Sequence, residues 1–166
     1  ALSKKIEASI SYSSVLHLDL KEELSDTQWL EEADYEVGYN KNGILSIALS
    51  MVGSAAYPDG TTKHVVVDLK TGKRVSASDL FTNVTGLHAL VLKAKNKEVA
   101  QAVADLRKDP EFNEQDPSDL FKDSTQNTPL KLDDFSIAAD GVTFYYDYGF
   151  PHVSQAIEPP GEFMFT

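Results

Sequence analysis

The side chains best suited to proton transfer or metal binding near neutral pH are four histidines, His17, His64, His88 and His152. Zinc needs ligands that converge, as in a His-Glu-x-x-His helix face, but these histidines lie far apart in the sequence and that motif does not occur. The chain has no cysteine, which removes thiolate metal sites, thiol nucleophiles and disulfides. No metal site and no cofactor are expected.

Other chemistries fail on spacing. A nucleophile elbow requires Gly-x-Ser-x-Gly, and Gly53-Ser54 lacks that frame, so it reads as a turn or bulge. Asp109-Pro110-Glu111-Phe112-Asn113 begins like a calcium loop, but Glu114 stands where the loop needs glycine and Leu120 where it needs a bidentate glutamate. Glu22-Glu23 and Glu31-Glu32 sit in polar stretches and read as solvated surface rather than a desolvated glycosidase pair. Asn83-Val84-Thr85 fits a glycosylation sequon and reads better as a helix cap. No catalytic residue is therefore expected. A hydrolase, if one is present, would use His152 or His64 as base, oriented by Asp147 or Asp68.

Two segments are suited to binding. In Phe144-Tyr145-Tyr146-Asp147-Tyr148-Gly149-Phe150-Pro151-His152, alternation puts Phe144, Tyr146 and Tyr148 on one face and Tyr145 on the other. Exposed aromatics bury large area at low entropy cost, which suits a contact surface; an aromatic core strand entering a rigid proline turn is the competing reading. The small-residue segment Gly53 to Gly60 carries one large aromatic, Tyr57, and is either a loop that reaches into a partner or an ordinary hairpin connection. The candidate contact residues are Tyr57, Tyr148, Phe150 and His152.

The elements that must position these residues follow from periodicity. Even positions from Ile6 to Leu20 are mostly apolar and odd ones mostly polar, which predicts a long half-buried strand or two strands broken near Ser13-Ser14. Lys21 to Asp34, with Leu24, Trp29 and Leu30, reads as a helical turn or loop. Tyr35, Val37 and Tyr39, then Leu45, Ile47, Leu49 and Met51, flank Asn42-Gly43 and predict a hairpin. Turns are expected at Tyr57-Pro58-Asp59-Gly60 and Lys70-Thr71-Gly72-Lys73, around the β-branched run His64 to Asp68. A single helical turn at Ser78 to Phe81 precedes a main helix from about Leu87 to Leu106, capped by Asn83 or Thr85 and stopped at Asp109-Pro110. Asp109 to Pro129 reads as a loop with one short helical turn, anchored by Leu120 and Phe121. A second hairpin turns at Asp140-Gly141, and a final strand includes Phe163 and Phe165.

This order gives one α+β domain over residues 1–166, a mainly antiparallel sheet of hairpins packed on one main helix. Fifteen basic against 26 acidic side chains leave a formal charge of −11, so nucleic acid and anionic lipid surfaces are repelled, and the charge reads either as a solubility device or as an attraction for a basic partner. No apolar run is long enough to cross a membrane. Ala1 follows either a removed signal or anchor or an arbitrary start; the chain stops inside Phe163-Met164-Phe165-Thr166, where further residues are expected.

Three segments together resemble a bacterial extracytoplasmic domain of unknown function found in RsiV-type, lysozyme-binding anti-sigma factors and in PdaC-type peptidoglycan deacetylases. They are Asn42-Gly43-Ile44-Leu45-Ser46-Ile47, Val67 to Lys73 leading to Ser78-Asp79-Leu80-Phe81, and Asp140 to Asp147 leading to Pro151-His152. The likeness is strongest over residues 35–165, and it departs at Gly53-Ser54-Ala55-Ala56-Tyr57, where many members carry a glycine-rich, histidine-containing loop. The resemblance implies a periplasmic, secreted or cell-surface location, no catalytic residues, and a ligand such as lysozyme or a peptidoglycan-type glycan. A wall hydrolase and a ligand-free accessory domain of a larger envelope protein stand as alternatives.

Overall fold

In the computed structural model, which describes residues 1–23, 30–54, 58–110, 116–122 and 130–166, Asn42 and Gly43 both take positive φ, 57° and 78°. That geometry joins twisted strands without splaying them, and it closes the hairpin between β1 (Leu30–Lys41) and β2 (Ile44–Ser54). Strand β3 (Pro58–Asp68) pairs along the whole of β2, from Ile44 opposite Asp68 to Ser54 opposite Pro58. A turn through Gly72, at φ 72°, adds the two-residue β4 (Lys73–Arg74) and completes an antiparallel sheet of order β1-β2-β3-β4.

A second antiparallel sheet of order β5-β6-β7 comprises Phe135–Ile137, Val142–Tyr145 and Glu162–Phe165. Between the sheets in sequence lie α4 (Ala77–Leu80), closed by a Ser76/Asp79 capping box, and α5 (Val84–Leu106), whose cap is Asn83 accepting from the Gly86 N–H. The fold is α+β, with two antiparallel sheets and one long helix.

The two faces of the first sheet bury different partners. Ser46 and Val66 face a core shared with Leu87 and Val91 of α5 and Phe135, Phe144 and Phe163 of the second sheet. The Ser46 hydroxyl accepts the Ile137 N–H and so satisfies a fully buried polar group. Leu45, Ile47, Leu49, Val65 and Val67 point the other way, toward Ile6, Ile10, Tyr12, Val15 and Leu16.

Those last five residues are not in a strand. The N-terminal segment forms α1 (Leu2–Ser9), α2 (Tyr12–Val15) and, after a non-helical stretch, α3 (Leu20–Glu22). Its apolar positions Leu2, Ile6 and Ile10 are four apart, a spacing that fits a strand's period of two and a helix face equally well; docking on a finished sheet selects the helix. Two more expectations are corrected. Pro58, Asp59 and Gly60 begin β3 rather than forming a turn, because each pairs with β2; and β1 starts at Leu30, inside the segment read as helix or loop. Leu24, Trp29 and Tyr57 lie outside the described residues.

Candidate functional site

The segment after β6 carries the aromatic run, and burial sorts it. Tyr148 and Phe150 are 5% and 7% exposed and pack edge-on against Phe121, which sits in the short 3₁₀ helix Pro117–Phe121. The Tyr148 hydroxyl donates to Glu98 of α5 at 2.8 Å, and burial followed by that carboxylate holds the phenol well above its ordinary range. Beside them, the Lys95 ammonium lies 3.4 Å over the Tyr146 ring, and burial lowers its pKa. Tyr148 and Phe150 are thus core residues first, a correction to their reading as exposed contacts: at 3.6-residue spacing α5 presents Val99 and Val103 to them, and a sheet ending at Tyr145 leaves this face to fill.

His152 is exposed at the start of a 3₁₀ helix, His152–Ile157, which Pro151 introduces. With Phe150 it borders an open depression of about 650 Å³. One wall of that depression is the first half of β3, Asp59 to His64; the other is the chain from Tyr145 to His152, continued by Glu158 to Glu162. Of the predicted contact residues, Phe150 and His152 come together here, Tyr148 lies in the core beside it, and Tyr57 is outside the described residues.

At the polar centre of the site, sequence reasoning named His64 but missed its partner. His64 is not oriented by Asp68: its Nδ1 is 2.9 Å from Asp134 Oδ1, which also accepts the His64 backbone N–H at 3.0 Å, while Oδ2 accepts from Lys63 Nζ at 3.0 Å. Burial would raise the Asp134 pKa, but the hydrogen bonds from His64 and Lys63 more than offset it and hold the carboxyl below the ordinary range. The imidazole stacks on Tyr145 at 3.5 Å and 8°, and the Tyr145 hydroxyl shares a 2.9 Å hydrogen bond with Ser136. Asp68 instead folds onto its own turn, accepting from the Lys70 N–H and Thr71 Oγ1. His152 and Asp147 both border the depression, but Asp147 accepts the Gly149 N–H, and no hydrogen bond joins the two among the described residues.

The dyad fixes the tautomer: with Nδ1–H donated to Asp134, the neutral ring has its lone pair on Nε2, the arrangement of an oriented base. Asp134 is the only hydrogen-bond partner of the ring among the described residues. Around the dyad the lining is acidic. Glu158 is raised by burial, partly countered by N–H groups from Phe150, Gly149 and Tyr148, with Asp147 as a neighbouring like charge. Among the described residues no three histidine or carboxylate side chains come together to hold a metal.

No protein-family model matches the chain, and no curated protein is significantly similar to it.

Proposed function

We propose that the chain is a non-catalytic, extracytoplasmic binding or sensing domain whose partner is a basic protein, with lysozyme the candidate supplied by the segment resemblance. The observation that carries this reading is the charge of the depression: among the described residues Asp59, Asp134, Asp147, Glu158 and Glu162 line it against one lysine, Lys63. An open surface with that imbalance, on a chain of formal charge −11, attracts and orients a cationic surface. A peptidoglycan-type glycan is the weaker fit, because the rings of Tyr148 and Phe150 that would stack on sugars are committed to the core. No described helix is long and apolar enough to cross a bilayer.

Calorimetric titration with lysozyme at low and at high salt tests the reading. Binding that weakens with salt, and weakens again in Asp147→Asn/Glu158→Gln and in His152→Ala while the melting curves stay unchanged, is the expected result. No binding at low ionic strength removes it.

The His64–Asp134 pair favours a second reading, a hydrolase acting on cell-wall material with His64 Nε2 as base. Its test is release of wall fragments by the wild type and by His64→Ala; turnover equal in both rejects it.

A further inference from the structure

Among the described residues the wall of the depression formed by β3 is a sheet edge without a paired strand, and its parity can be read from four hydrogen bonds. The Leu69 N–H donates to the Gly43 carbonyl, so odd residues of this stretch face β2. Even residues face outward: Val66 O accepts the Val75 N–H, Asp68 O accepts the Gly72 N–H, and the His64 N–H goes to Asp134. By the alternation of an antiparallel ladder, Gly60 and Thr62 also turn their N–H and C=O groups away from β2. Strand β4 covers the edge only at Val67 and Asp68. The Gly60 N–H is taken by its neighbour's carboxylate, Asp59 Oδ1, at 2.8 Å. Left without a partner among the described residues are the Thr62 N–H and the carbonyls of Gly60, Thr62 and His64, on a segment that is exposed at Gly60 and Thr62.

We infer that this edge is a strand-docking site for a short extended segment of a basic protein. A segment laid antiparallel to β3, with one residue opposite Thr62, exchanges two hydrogen bonds with Thr62. Its N–H groups two residues to either side meet the carbonyls of Gly60 and His64. Asp134 at one end and Asp59 at the other already occupy the flanking N–H groups, which limits the docked stretch to about three to five residues. The facing wall, with Asp147 and Glu158, selects lysine or arginine side chains on that segment. A second copy of this chain is excluded as occupant by the same charge: its own β3 edge brings Asp59, and its formal charge is −11. The inference rests on the basic-partner reading and adds to it a backbone mode of contact.

The experiment uses ¹⁵N-labelled protein and three end-blocked peptides: Lys-Val-Lys-Val-Lys, the same peptide N-methylated at its central lysine, and Glu-Val-Glu-Val-Glu. The expected result is binding of the first alone, with exchange of the Thr62 amide slowed at least about tenfold in the complex and affinity lost at least about tenfold on methylation. Thr62→Pro deletes the outward donor and leaves the β2 ladder, which uses odd residues, intact; it should lose the peptide, while Thr62→Ala keeps it. Should Thr62→Pro fail to fold, the methylated peptide removes hydrogen-bonding capacity from the other side of the same pairing. Equal affinity for the methylated peptide, no change at the Thr62 amide, or no binding of the lysine peptide overturns the inference. Lysozyme bound without protection at Thr62 overturns the docking mode and leaves the basic-partner reading standing; lysine-peptide docking without lysozyme binding keeps the docking mode and removes lysozyme as the partner.

Discussion

Replacing Asp134 by asparagine tests whether one carboxylate joins the two sheets. Asp134 precedes β5 and accepts three hydrogen bonds from β3: the His64 N–H, His64 Nδ1 and Lys63 Nζ. In Asp134→Asn the amide oxygen still accepts from His64, but as a neutral acceptor, which costs about 1 kcal/mol of the strength of a charge-assisted bond. The Lys63 contact is lost; its ammonium-bearing side chain is 42% exposed, so this contributes at most about 1 kcal/mol. The sum, about 2 kcal/mol, corresponds to a melting temperature lowered by roughly 4–8 °C for a chain of this size. The pH dependence has a definite sign. A carboxyl whose folded pKa is depressed adds stability above its unfolded value, about 3.9, and loses it as pH falls through the folded value. Urea unfolding at pH 7 should therefore separate wild type from variant by about 2 kcal/mol, with the gap closing as pH drops below about 4. A variant within 0.5 kcal/mol of wild type at pH 7 (about the spread of neutral surface changes), or a gap constant down to strong acid, would refute the reasoning.

Three further outcomes are expected. Tyr148→Phe removes the hydrogen bond to Glu98 and should cost about 1–2 kcal/mol at pH 8; because the folded phenol is raised, wild type loses this advantage as pH climbs above about 10, so melting curves of the two should converge in alkali. Asn83→Ala should lower stability by about 1 kcal/mol with faster amide exchange confined to the first turn of α5, and exchange unchanged at Gly86 would count against the cap. Gly161 has φ 63°, and an added Cβ would run into the Tyr146 carbonyl, so Gly161→Ala should destabilise by more than about 2 kcal/mol in chemical denaturation, whereas a tolerated alanine would show that the β6–β7 junction can shift.

What could be read from the sequence was local. Asn42-Gly43 specifies its own turn and with it the register of Tyr39 to Lys41 on β2, beyond which the pairing shifts, and the spacing of Leu87 and Val91, with Asn83 ahead, is enough to place α5. The segment from Ile6 failed because residues four apart satisfy both periods, and only the sheet that receives them decides. Asp134 was invisible for a different reason. It is one acid in Leu132-Asp133-Asp134-Phe135, and what makes it the centre of the site is a partner 70 residues away. The run from Tyr145 to His152 was found, but not which rings are buried, since that depends on Phe121 arriving from the 3₁₀ helix.

The N-terminal helices bear on the order in which the chain assembles. None of their residues is fully buried, and their polar attachment runs through few groups: Ser9 and Ser14 to Gly72 and Arg74, and Tyr12 to the Asp34 carbonyl. Their docking surface, Leu45 to Leu49 with Val65 and Val67, exists only after β2 and β3 have paired. Pulse-labelled amide exchange should therefore find β1 to β3 protected before α1 and α2; simultaneous protection would argue against this sequence of events. During synthesis these helices leave the ribosome ahead of the strands they cover and wait, unpaired, through some fifty residues of elongation, a few seconds at ordinary rates. On that order, the first described segment to be made finds its place only after strands made later.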